Sequence, residues 1–217
     1  MSQLGSAEMK RLATVVLTVL AFCAHAGGME SLEAFVKNAR SGSAEFTQTV
    51  TSPPKDGQPA RDKVSSGTFQ FQRPGKFRFD YRKPFVQNIV ADGETLWLFD
   101  ADLNQITQRN QAQALGSTPA ALIAAAPDLK ALQADFSLAS MPERDGLQWV
   151  KATPKTKDGQ LQSVQVGFQG EALAALEIFD GFGQKSVLRF SKVEVNPTLP
   201  ASVFKFNPPP GADVLRQ

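Results

Sequence analysis

The chain has 217 residues, with 23 Lys and Arg against 21 Asp and Glu, a formal net charge of +2. Balanced charge without a basic run excludes the electrostatic footprint of a nucleic-acid binder. The only Cys and the only His are Cys23 and His25, so a chain cut after Ala26 has no thiol nucleophile, imidazole base, Ser-His-Asp triad, usual zinc site or disulfide.

Lys10 and Arg11 precede an apolar run from Leu12 to Ala24, and Ala24-His25-Ala26 follows as a small-x-small site. This is the pattern of a cleavable secretory signal peptide, and the run is short for a membrane span. Met9-Lys10-Arg11 is a second clean start for it. Leu20-Ala21-Phe22-Cys23 faintly resembles a lipoprotein acylation site, but the residue before that Cys is normally small and Phe22 is bulky. Residues 1–26 are therefore expected to be removed. Residues 27–217 are expected to form one domain, long enough for one substantial core.

Ser31 to Arg40 predicts an amphipathic helix, with Leu32, Phe35, Val36 and Ala39 on one stripe, Ser31 as N-cap and Gly42 as stop. Ala44 to Val50 alternates as a strand. Ser52 to Lys63, with three Pro, a Gly and five charges, predicts an exposed loop. Three aromatic strands follow: Thr68–Gln72, Lys76–Tyr81 and Thr95–Phe99. Phe69 and Phe71 share one face, as do Phe77, Phe79 and Tyr81, because successive side chains point to opposite sides. Arg73-Pro74-Gly75 supplies the reversal between them. Gln70, Gln72, Arg78 and Asp80 take the other face. Phe85–Ala91 pairs with Glu94–Phe99 across Asp92-Gly93, and Asn104–Arg109 continues the meander.

The pattern then changes. Thr118-Pro119 opens a short helix through Leu122, Ile123 and Ala124, and Asp128–Gln133 is a second helical piece. Strands resume over Phe136–Ala139, Leu147–Thr153, Leu161–Phe168, Leu173–Phe179, Lys185–Val195 and Val203–Asn207, and Pro208-Pro209-Pro210 ends the last. Ten or so strands with about three short helices give a mainly β domain on a large curved antiparallel sheet. Its aromatic face is either a filled core or the lining of an apolar ligand pocket. In the second case Thr118–Ala124 is a lid, and Arg73, with five N–H donors in a fixed fork, suits the lid's carbonyls. Asp80, Asp92, Asp100, Asp102 and Asp180 could form a glycosidase-type pair or a calcium site. Most lie beside Gly or at strand ends, where turns favour Asp.

These segments resemble the LolA family of periplasmic outer-membrane lipoprotein carriers. The resemblance is carried by Ala44–Gln48, by Gly67–Phe69 running into Arg73-Pro74 and Phe77–Phe79, and by Ala91–Trp97. Thr118-Pro119 with Leu122–Ala124, and Phe204–Phe206 followed by Pro208–Gly211, complete it. The Ser52–Lys63 segment is longer than in enteric members. The resemblance implies an incomplete, unclosed antiparallel β-barrel with a hydrophobic cavity beneath a helical lid. It implies a monomeric, non-enzymatic periplasmic carrier without cofactor or metal. Such a carrier takes acylated lipoproteins from an inner-membrane ABC transporter complex to an outer-membrane receptor. Arg73 falls on the family's lid-binding arginine, and Phe77 and Phe79 on its aromatic cavity positions. The candidate lipid-binding set is Phe69, Phe71, Phe77, Phe79, Tyr81, Leu96 and Leu98, and the candidate lid and latch are Arg73, Pro119, Leu122 and Ile123. Two other readings are a carrier of another lipid, such as a glycolipid or pigment precursor, and the lipid-anchored receptor of the same fold. Intact-mass measurement of the exported protein is expected to give an unmodified chain beginning at Gly27; a diacylglyceryl chain beginning at Cys23 would indicate the receptor.

Overall fold

The computed structural model describes residues 27–217 apart from 56, 116–125 and 157–160. Helix α1 (Gly28–Asn38) leads into β1 (Ser41–Ser52), β2 (Arg61–Gln72), β3 (Lys76–Lys83), β4 (Gln87–Asp92), β5 (Thr95–Asp100) and β6 (Gln105–Asn110). Two short helices, α2 (Gln111–Leu115) and α3 (Leu129–Asp135), separate this meander from β7 (Phe136–Arg144), β8 (Leu147–Pro154), β9 (Leu161–Gln169), β10 (Ala172–Asp180) and β11 (Lys185–Val195). A 3-10 turn (Ala201–Phe204) and β12 (Asp213–Arg216) end the chain. All strands belong to one sheet in the order β12-β6-β5-β4-β3-β2-β1-β11-β10-β9-β8-β7. The two outer strands, β12 and β7, do not pair, so the barrel is unclosed.

The sheet is rolled. β5 and β10 stand six places apart in it, roughly 30 Å if the sheet were flat. Yet Leu96 and Leu98 of β5 line one cavity with Leu176 and Ile178 of β10. The apolar faces of the two halves thus look at each other across a trough.

One end of the trough is filled by α1. Leu32, Phe35, Val36 and Ala39 are buried, each of the larger ones adding about 1.5–3 kcal/mol by leaving water. Phe35 reaches both walls, meeting Phe71 of β2 at 5.9 Å and Phe168 of β9 at 5.7 Å between ring centroids. The helix starts earlier than expected, with Gly27 rather than Ser31 at its N-cap. Gly28 packs so closely on β8 that a Cβ there would stand 2.2 Å from the Trp149 carbonyl oxygen. Ser31 lies inside the first turns, buried, and Gly42 belongs to β1, where the Phe71 ring covers it. At the β2–β3 reversal Gly75 takes the expected positive φ of 74°.

Three other expectations are corrected. The Ser52–Lys63 loop shrinks to the residues between Ser52 and Arg61, because β1 and β2 pair out to that point. Val203–Asn207 is not a strand: the 3-10 turn places Phe204 against β3 and β4. Beyond the three prolines the chain instead makes β12, parallel to β6. The Thr118–Ala124 helix lies outside the described residues. Asp128, expected to begin the second helical piece, caps α3 by accepting the Ala131 N–H at 2.8 Å.

The convex side of β3–β6 has its own cover. Val90, Phe99 and Ile106 are buried there beneath the C-terminal segment, together with Phe204. Phe206 stacks on Trp97 at 5.4 Å and tilts against Phe99 at 6.0 Å. Arg78 holds this segment on its polar side, bonded to Asp80 at 2.7 Å and donating to the Val203 carbonyl at 3.1 Å.

Candidate functional site

The trough that α1 leaves open is a cavity of about 210 Å³. Phe77, Phe79 and Tyr81 form one wall from β3. Ile89, Leu96 and Leu98 extend it from β4 and β5, and Leu176, Ile178 and Leu188 face it from β10 and β11. Cross-strand register explains the grouping. Phe77 lies opposite Ala91, Phe79 opposite Ile89, and Ile89 opposite Leu98. Period-two alternation on three paired strands thus puts every large apolar side chain of one parity on a single surface.

Of the seven candidate lipid-binding residues, the structure brings Phe77, Phe79, Tyr81, Leu96 and Leu98 to this cavity. Phe69 and Phe71 share the face but not the opening. Phe69 is sandwiched between Phe79 at 4.4 Å and Phe71 at 5.8 Å, and Phe71 lies under α1. They form the floor behind the wall. Trp97, in the segment of resemblance, points to the convex side.

Gln48 is the polar exception on the wall. It accepts from the Tyr81 hydroxyl at 2.9 Å and donates to Ser186 Oγ at 2.6 Å. Gln48 Oε1, Gln48 Nε2 and the Tyr81 hydroxyl are thus all paired, as a low-polarity site requires. Burial pushes the Tyr81 phenol up to about 12, because its anion would lose hydration.

Arg73 sits at the filled end. Its backbone N–H donates to the Arg40 carbonyl at 2.8 Å, Nε to the Ala39 carbonyl at 2.9 Å, and Nη1 to the Ala126 carbonyl at 2.6 Å. The guanidinium lies 5.3 Å from the Phe35 ring centroid and 5.4 Å from that of Phe71. Desolvation, with the nearby charge of Arg40, lowers its pKa to about 10, so it remains a cation at neutral pH. Nη2 is buried without a partner among the described residues. Ala126 directly follows the segment that holds Pro119, Leu122 and Ile123, which lie outside the described residues.

Gln111 was not singled out by its sequence, which offers only a lone Gln after a strand. It is buried, accepts from Gly93 N–H at 2.9 Å through Oε1 and donates to the Gly75 carbonyl through Nε2. It ties the β2–β3 and β4–β5 turns together at the root of the chain that leads to residues 116–125. The candidate carboxylates serve local structure. Asp92, Asp100 and Asp180 each accept two backbone N–H groups in their own turns, and Asp80 pairs with Arg78. Among the described residues no cluster of three His, Cys, Asp or Glu could hold a metal, and no helix is long and apolar enough to cross a membrane.

An unclosed antiparallel barrel around an apolar trough, plugged at one end, where an arginine bonds both the end of α1 and Ala126, is the architecture of an apolar-ligand container. The family model "Outer membrane lipoprotein carrier protein LolA" matches residues 37–207. An outer-membrane lipoprotein carrier protein of Albidiferax ferrireducens is 64% identical over 213 residues, covering 96% of this chain and all of that protein. Proteins of the same name from Methylibium petroleiphilum and Leptothrix cholodnii are 51% and 55% identical, covering 95% and 89% of this chain and 98% and 88% of their own lengths. A solved LolA superfamily protein of Nitrosomonas europaea has a TM-score of 0.47 at 14% identity, covering 83% of this chain and 98% of its own. The chain belongs to the LolA family of outer-membrane lipoprotein carrier proteins.

Tyr81 is the only tyrosine, so its titration can be followed directly. Its raised pKa means the folded state holds the phenolic proton more tightly than the unfolded chain. That contribution to stability is complete below pH 10 and is lost as pH rises from 10 to about 12. Tyrosinate absorbance is expected to reach its midpoint near pH 12, and not near pH 10 as for a free phenol; Tyr81→Phe should abolish the signal.

Proposed function

We propose that the chain carries acylated lipoproteins across the periplasm, sheltering their acyl chains in the Phe77–Leu188 cavity and passing them on without catalysis. The apolar wall of that cavity in a member of this family is the observation that carries the reading. Each CH₂ brought out of water is worth about 0.8 kcal/mol, so one long acyl chain represents on the order of 10 kcal/mol. A carrier must match most of that and still release its cargo. Broad contact with Phe, Leu and Ile side chains supplies apolar area without one fixed shape.

The cavity of about 210 Å³ lies below the ~300–1,000 Å³ of pockets that hold drug-sized ligands. Loading on this reading requires the trough to widen. Arg73 is suited to set the cost of widening. Its bonds to Ala39 and Ala126 join α1 to the chain leading from the lid segment. Net values of about 1 kcal/mol per hydrogen bond, somewhat more for a charged donor, bias an open–closed equilibrium without locking it. Cargo then competes with closure, and a receptor with greater affinity draws it out. Supply by an inner-membrane ABC transporter complex, delivery to an outer-membrane receptor and export by residues 1–26 complete the proposal.

Extraction and mass spectrometry of protein purified from the periplasm tests it. Acylated polypeptide is the expected ligand, and a glycolipid or pigment precursor would identify a different carrier. Phe77→Glu, which puts an unpaired carboxylate in the cavity, is expected to fold and to lose the bound lipid; cargo recovered at the parent yield would remove Phe77 from the site. Arg73→Leu is expected to load cargo yet retain it when receptor is added, and normal handover by that variant would refute the latch.

A further inference from the structure

The sheet has a gap beside the mouth of the cavity. β1 and β2 pair along their whole length, from Ser41 opposite Gln72 to Ser52 opposite Arg61. β3 does not keep pace. Its last pair is Lys83 with Ser66, after a bulge, and Pro84 follows, which has no N–H to donate. Arg61–Ser65 therefore bonds to β1 on one side only, and no described backbone group bonds to its other edge. Five residues of open edge run for roughly 17 Å at strand spacing.

This edge comes nearest the cavity at its Ser65 end. A groove of about 570 Å³ lies beside it, lined by Ser65, by Pro84, Phe85 and Gln87 after β3, and by Asp100, Asp102 and Leu103 at the β5–β6 turn. Gln48 and Tyr81 line both the groove and the cavity, so the two adjoin. Phe85 and Leu103 are 67% and 70% exposed on the groove's far side.

We infer that Arg61–Ser65 receives the extended polypeptide attached to the acyl chains, as an added β-strand. The inference rests on the carrier reading above. Acyl chains in the apolar trough leave the acylated residue at its mouth. The peptide that follows cannot enter, because its N–H and C=O groups would lose water without gaining partners. The open edge supplies those partners at the place where the peptide emerges. Strand addition is sequence-tolerant, since the bonds run between main chains. That property suits a carrier whose cargoes share a lipid but not a sequence. Arg61, Asp62 and Lys63 also make this a charged edge, of the kind that discourages pairing with a second copy.

Two ligands test the inference: a diacylglyceryl-cysteine amide without peptide, and the same lipid on a flexible peptide of about ten residues. The lipopeptide is expected to bind about tenfold more tightly, the gain from one or two net main-chain hydrogen bonds. Hydrogen exchange in the unmodified protein should slow at Arg61–Ser65 with the lipopeptide and not with the amide. Neighbouring residues of a strand direct their N–H groups to opposite sides. One of the variants Lys63→Pro and Val64→Pro should therefore bind the amide normally and lose the tenfold preference. Equal affinities, equal protection by both ligands, or a preference kept in both variants would overturn strand addition while leaving the carrier reading intact. Protection of the edge that rises with protein concentration alone would assign it to a second copy. Failure of the amide itself to bind would overturn the carrier reading.

Discussion

An apolar face twelve strands wide demands more cover than one eleven-residue helix can give. The rest of the structure follows from that shortage. The sheet rolls until its halves face each other, which removes much of the apolar surface from water without further helix. α1 then fills one end, where Phe35 bridges β2 and β9. What remains is a trough whose walls satisfy each other only in part. Full closure would bond the β7 and β12 edges and fix the radius. Leaving them apart keeps the wall spacing adjustable, a useful property for a container that must fill and empty.

Arg73 makes sense in the same frame. A guanidinium is a costly group to bury, and this one gives up water for two carbonyls and two aromatic faces. The lowered pKa records that cost directly. A hydrophobic residue of similar size could fill the space more cheaply, but it would join α1 to the lid's approach without any directional bond. Directional bonds break over a short displacement. Dispersion contacts fade gradually. On the carrier reading, a latch of the first kind would give two defined states, where grease alone would give a continuum.

Much of this was legible in the residues. Strict alternation in Lys76–Tyr81 placed Phe77, Phe79 and Tyr81 on one surface, and the Asp-Gly hairpin brought Leu96 and Leu98 beside them. Alternation assigns a face, however, and not what lies over it. Phe69 and Phe71 carry the same signal as Phe77, but α1 crosses the sheet above Phe71 and nothing local reports that. Gln111 acts through two turns far from it in sequence. β12 pairs in parallel with a strand more than a hundred residues earlier, and Phe204 reads as a strand residue although its burial comes from β3 and β4. Each miss concerns a contact made at long range by a residue of ordinary local preference.

The cover over the convex side of β3–β6 has a mechanical consequence. Trp97, Phe99, Phe204 and Phe206 make this part of the sheet apolar on both faces, so bending it would separate packed rings on one side or the other. The outer face of the opposite wall is covered, among the described residues, by side chains of the sheet itself: Trp149, Leu147 and Ala175 pack together there, Arg144 and Arg189 lie over the Trp149 ring, and Glu177 pairs with Arg144 and Lys185. The two flanks are thus covered differently, one by rings of a separate segment of chain and the other by neighbouring strands' own side chains. If the trough widens as loading on the carrier reading requires, the flank without stacked rings from a second segment is where the sheet bends at the least cost in packed aromatic surface.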